Sequence, residues 1–62
     1  MNDERMNLLA SNAASPDVAE RWTAAGDLGK VPGEEAERVL LELLKDEDYR
    51  VRERAVASLG RR

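Results

Sequence analysis

Chemistry at neutral pH usually rests on a histidine or a cysteine thiolate, and this 62-residue chain has neither. The hydroxyls of Ser11, Ser15, Thr23 and Ser58 remain, but none has an activating base beside it in the sequence. Loss of both residue types also removes most zinc sites. Gly26, Gly29 and Gly33 follow neither the phosphate-loop nor the dinucleotide-binding spacing. Asp46, Glu47 and Asp48 could offer oxygens to calcium or magnesium, yet they lack the glycine and distal glutamate of a calcium-binding loop. Helix capping and solvation explain those acids. The expectation is a chain without catalytic residues, cofactor or metal.

The arginines are the other chemically pointed group. Five of the ten basic residues lie between Arg50 and Arg62, after an acidic stretch from Glu34 to Asp48. On a helix, Arg50, Arg54 and Arg61 fall within about 40° of one another, so they form one face. Such a face suits an anionic partner, either an acidic protein surface or a phosphate backbone. The plain alternative is a solvated helix face. Only one aromatic, Tyr49, stands beside these arginines, too few to stack a run of single-stranded bases, and the net charge of −3 opposes tight duplex binding. Arg50, Arg54 and Arg61, with Trp22, are the candidate partner-binding residues. A nucleic-acid-binding helical domain using the arginine-rich fourth helix is the alternative reading.

These residues need a scaffold. Charged residues make up 37% of the chain and aromatics 3%, Trp22 and Tyr49 alone. That balance fits helices with solvated faces around an Ala, Leu and Val core. Sixty-two residues allow one domain of about two layers, near the lower limit for a single unaided core. Val39-Leu40-Leu41 is far too short an apolar run for a membrane span, and Met1-Asn2-Asp3-Glu4-Arg5 does not resemble a secretory signal. A cytoplasmic protein is expected.

Periodicity and punctuation predict four helices. The first runs from about Asp3 to Ala14, with Met6, Leu9, Ala10 and Ala13 inward and Leu8 off that stripe. Ser15-Pro16-Asp17 predicts an N-cap at Ser15 and a second helix from Pro16 to Leu28. Val18, Trp22, Ala25 and Leu28 face inward on it, with Trp22 filling the core and Gly26 making room for the indole. Gly29 stops it. The third helix covers Glu34 to Lys45, with Ala36, Val39, Leu40, Leu43 and Leu44 in a stripe about 140° wide. In the fourth, Val51, Ala55 and Leu59 recur at i, i+4 and i+8, Asp46 to Asp48 serve the N-terminus, and Gly60 takes a left-handed C′ position.

The chain also repeats. A 31-residue shift pairs Leu28-Gly29 with Leu59-Gly60, Ala24 with Ala55, Arg21 with Arg52, Asp17 with Asp48 and Ser15 with Asp46. This divides the chain into repeat 1, residues 1–31, and repeat 2, residues 32–62.

Asp48, Val51-Arg52, Ala55 and Leu59-Gly60, with Leu43-Leu44 before them, resemble a HEAT-like repeat of the short kind met in phycobilisome-lyase-type proteins. The first unit departs from that pattern with Glu20-Arg21, Gly26 and Ala13-Ala14. The resemblance implies a single all-α domain over residues 1–62: four antiparallel helices, two helix-turn-helix units, stacked as a short α-solenoid. It implies a protein-interaction scaffold whose second helices line the concave side, with Arg52 paired to capping aspartates of its own and neighbouring units. Lyase activity is not implied. Two units leave two flanks without a neighbour, so another copy of the chain, a partner or further repeats are expected to cover them.

Overall fold

The computed structural model describes residues 3–62; Met1 and Asn2, where the expected first repeat begins, lie outside the described residues. Four helices follow one another: α1 (Glu4–Ala13), α2 (Val18–Leu28), α3 (Glu34–Leu43) and α4 (Tyr49–Gly60). No strand occurs among the described residues. At 10 to 12 residues each, the helices are too short to persist alone in water, so packing holds them. α1 lies on α2 and α3 on α4, and the two antiparallel hairpins stack mainly through α2 against α4. The expected all-α stack of helical hairpins is what forms.

Caps decide where the helices start. Asp3 Oδ1 accepts from the Met6 amide at 3.1 Å and opens α1. The α2 cap is Asp17 and not Ser15: Asp17 Oδ1 accepts from the Ala19 amide at 2.9 Å. Ser15 sits one step further out, its Oγ accepting from the Asp17 amide at 3.0 Å and donating to Glu20. With the closer carboxylate available, α2 begins at Val18, two residues after Pro16. Asp48 plays the same part for α4, accepting from the Arg50 amide at 2.9 Å.

Helix ends correct the sequence reading further. Gly29 ends α2 as expected, in right-handed geometry at φ −63°, whereas Gly60 is the last residue of α4 itself and not a left-handed cap beyond it. The one positive-φ residue among those described is Gly33, at 106°, the residue before α3. Gly29 is needed for another reason. A Cβ there would lie 2.9 Å from Ser58 Cβ and 3.1 Å from its Cα, so glycine permits the close approach of α4. α3 ends at Leu43, two residues before Lys45. Turn bonds from the Lys45 amide to Glu42 and from the Asp46 amide to Leu43 swing Asp46 toward the first hairpin.

The core is built from Met6, Leu9 and Ala13 of α1, Ala24, Ala25 and Leu28 of α2, Ala36, Val39, Leu40 and Leu43 of α3, and Val51 and Ala55 of α4. Ala10, Val18, Leu44 and Leu59 pack half-buried at its margin. Leu28, Leu40 and Val51 are fully buried, each contributing about 1.5–3 kcal/mol by leaving water. Trp22 is the exception to the expected stripe. It is 41% exposed, while its neighbour Arg21 is buried. Where α2 meets α4 the seam is made by small residues, Ala25 and Gly29 against Ser58, and this close approach leaves an indole no room between the helices. The seam also carries a polar lock, in which buried Ser58 Oγ donates to the Ala25 carbonyl at 2.6 Å.

Candidate functional site

Trp22 and the arginines of α4 meet on one side of the α2–α4 pair. The Arg54 guanidinium carbon lies 4.3 Å from the Trp22 ring centroid, a cation–π stack. Gly26 makes this possible: a Cβ there would sit 2.6 Å from Arg54 Nε and Nη2. Gly26 therefore gives room to arginine and not to the indole, a correction to the sequence reading. Arg54 Nε is buried beneath this arrangement and has no hydrogen-bond partner.

The three arginines expected on one face are not equivalent. Arg50 forms a two-pronged pair with Asp48, Nε to Oδ1 at 3.0 Å and Nη2 to Oδ2 at 2.8 Å. This contact, with the amide bond from the same residue, holds the Asp48 carboxyl down to about 2 and raises the Arg50 pKa. Arg50 and Arg54 flank Trp22 along an open concavity completed by Glu53 and Ala57. Arg61 lies one residue beyond α4, exposed, outside the concavities around Trp22. The structure brings Trp22, Arg50 and Arg54 together and leaves Arg61 apart.

A second shallow concavity continues from Trp22 and Arg50 over Val18, Ala19 and Thr23. None of the three was a candidate site residue from sequence, where Val18 was read as inward-facing and Thr23 only as a hydroxyl, although Val18 and Ala19, one turn before Trp22, share its side by helical spacing. The Thr23 hydroxyl is occupied, donating to the Ala19 carbonyl at 2.9 Å. The surface is thus an apolar strip crossed by one aromatic ring and edged by two guanidinium groups.

Behind this face lies a buried ion pair that sets the position of α4. Arg21 Nε donates to Asp46 Oδ2 at 2.8 Å and its Nη2 to Oδ1 at 3.2 Å, with both side chains at or below 10% exposure. The Asp46 hydrogen bond, supported by Glu47 and Asp48, raises the Arg21 pKa. Arg21 Nη1 donates to the Ser15 carbonyl at 2.9 Å, and Arg52 Nη1 makes the matching bond to the Asp46 carbonyl at 2.7 Å. Arg52 was expected to pair with aspartate carboxylates; it holds a turn carbonyl instead, because Arg21 already occupies the Asp46 carboxylate. Arg62, which the sequence showed only as the last of the basic residues, reaches back to the carbonyls of Leu28, Val31 and Gly33. It clamps the loop between the hairpins. The acids of the α3–α4 turn are therefore engaged in caps and arginine pairs.

Stacked antiparallel hairpins, tied by arginine and aspartate across a small-residue seam, define a helical-repeat protein. Residues 6–62 match the family described as HEAT repeats, and the chain belongs to that family. No curated protein and no solved structure matches it. HEAT repeats are commonly protein-interaction scaffolds and are typically non-catalytic. Among the described residues, no helix is long and apolar enough to cross a membrane.

Proposed function

We propose that the chain is a cytoplasmic protein-interaction module without catalytic activity, a single domain of two units, residues 1–31 and 32–62. It engages an acidic protein segment on the α2/α4 face, through Trp22, Arg50 and Arg54, with Arg61 as an outlying charge. One observation carries the reading. Trp22 is exposed on a small-residue seam, where packing gave it no place, and a guanidinium with an unpartnered Nε lies over it. Tryptophan and arginine at the centre of an apolar strip are the residue types that concentrate binding energy at protein interfaces.

Trp22 is the sole tryptophan, so its fluorescence reports directly on this face. The test titrates the protein with synthetic peptides of alternating Asp/Glu and Leu/Phe, and separately with duplex and single-stranded oligonucleotides. Saturable quenching by the acidic peptides, weakening with salt and lost in Arg54→Glu, is the expected result. Saturable response to the oligonucleotides alone would replace this reading with nucleic-acid binding. No response to either would remove the face as a binding site.

A further inference from the structure

Glycine inside a helix needs a reason. After proline it is the least favourable helix residue, because its backbone has the most freedom to lose. Gly26 lies in the last turn of α2, with Asp27 and Leu28 still helical after it. Its φ is not positive, so its backbone makes no demand that alanine could not meet. Ala24 and Ala25 precede it, and Ala57 holds the matching place thirty-one residues later in α4. Alanine is thus what the second unit uses at this register. That unit also has Glu53 where the first has Trp22, so the glycine and the indole occur together.

The neighbours of Gly26 supply the reason. The three atoms nearest a Cβ at this position would all belong to Arg54: Nε and Nη2 at 2.6 Å and Cζ at 3.0 Å. None of them is backbone. At Gly29 a Cβ meets the Cβ, Oγ and Cα of Ser58 at 2.9 to 3.1 Å, atoms that cannot yield without moving α4. Gly29 therefore serves the packing of two helices. Gly26 faces only the end of one long, flexible side chain, which could swing aside and leave the fold intact. What would be lost is the arrangement at the surface. Trp22 and Gly26 stand one turn apart on the same side of α2, and the Arg54 head touches both, 4.3 Å from the ring centroid.

We infer that Gly26 is a positioning residue of this face: it gives up helix stability so that the Arg54 guanidinium can rest over Trp22. The inference relies on the acidic-segment reading for what the face binds. A guanidinium already held on an aromatic ring has lost the freedom that an extended arginine would lose on meeting a carboxylate, so it binds one at smaller entropic cost. The seat does not satisfy Arg54 itself, since the buried Nε has no hydrogen-bond partner. Glycine at this position fits the needs of the surface and not those of the helix.

Gly26→Ala is compared with Arg54→Ala and with the double variant. In thermal melts followed by circular dichroism, Gly26→Ala is expected to melt at or above the temperature of the parent protein. In acrylamide quenching of Trp22, the sole tryptophan, it should bare the ring as much as Arg54→Ala does, and the double variant should add nothing. Titrated with the acidic peptides, it should bind several-fold more weakly than the parent, at the level of Arg54→Ala. A melting temperature lowered by several degrees would make Gly26 a packing glycine like Gly29 and overturn the inference. Quenching equal to that of the parent would overturn it too, since Arg54 would then keep its seat beside alanine. Undiminished peptide binding by a Gly26→Ala protein with a bared ring would do the same. A parent protein that ignores the peptides removes the acidic-segment reading alone. Melting and quenching are measured without peptide, and they still decide whether the glycine positions the arginine.

Discussion

The α1–α2 turn, Ser15-Pro16-Asp17, and the α3–α4 turn, Asp46-Glu47-Asp48, make the same backbone bonds with different side chains. In each, the first residue accepts from the amide two residues on, the third caps the helix, and an arginine six residues after the first holds its carbonyl. The difference is what the first residue can do besides. Ser15 accepts from the Asp17 amide and otherwise reaches only Glu20, on its own hairpin. Asp46 does the same backbone work with one oxygen and still offers a carboxylate to Arg21 of the other hairpin. A turn that merely starts a helix becomes, by one acid, a turn that joins two hairpins. Equivalent residues in the two units should therefore respond very differently to substitution.

The largest contrast is between Leu28 and Leu59. Leu28→Ala empties a fully buried site and is expected to cost about 2–5 kcal/mol, enough to unfold much of a domain this small. Leu59→Ala, at a half-buried position, should cost well under half as much in urea denaturation. Equal losses would end the claim that the two hairpins sit in different surroundings.

Gly29 and Gly60 come next. Gly29→Ala drives a Cβ into Ser58 and should destabilise by about 1–3 kcal/mol. Gly60→Ala meets nothing within 4 Å and ends a helix, so it should be neutral or gain up to about 1 kcal/mol. Opposite signs in parallel melts sharpen the distinction between an approach glycine and an end glycine.

Arg21→Met strands the buried Asp46 carboxylate, whereas Arg52→Met releases only a bond to a turn carbonyl. The first should lower the melting temperature by several degrees more than the second. Asp46→Asn should reproduce much of the Arg21 effect, and the double variant should lose less than the two single losses added together.

The smallest effect is the titration of Asp48. Its folded pKa is lowered from 3.8 to about 2, so the charged form is favoured by folding. The resulting stabilisation is present above pH 3.8 and lost as pH falls toward about 2. The pair with Arg50 is exposed, and screening keeps the effect small. Asp48→Asn should flatten the fall in melting temperature across that window, and added salt should reduce the difference from wild type.

Much of the fold was legible in the sequence because it depends on local patterns. Met6, Leu9 and Ala13 keep helical spacing and are buried, Leu8 breaks it and is exposed, and the 31-residue repeat reappears as matched turn bonds. Helix ends were less legible. Ser15 and Asp17 both have cap chemistry, and only the folded turn shows the closer carboxylate taking the cap while serine supports it.

The candidate site was legible in part. Spacing alone put Arg50 and Arg54 on one side of α4. It could not show that Arg61 lies beyond that surface or that Arg50 is already paired with Asp48. Trp22 marks the limit most clearly. Its period on α2 points inward, but the separation of α2 from α4 is set by the close approach of Ala25 and Gly29 to Ser58. A helical period says which residues share a side; how close the next helix comes decides which of them fit beneath it. The sequence by itself determined four amphipathic helices and their twofold repetition, since spacing and capping are properties of neighbouring residues. The tertiary structure alone decided that the indole stays outside under an arginine and that Asp46 answers Arg21. Those outcomes depend on distances between residues far apart in the chain.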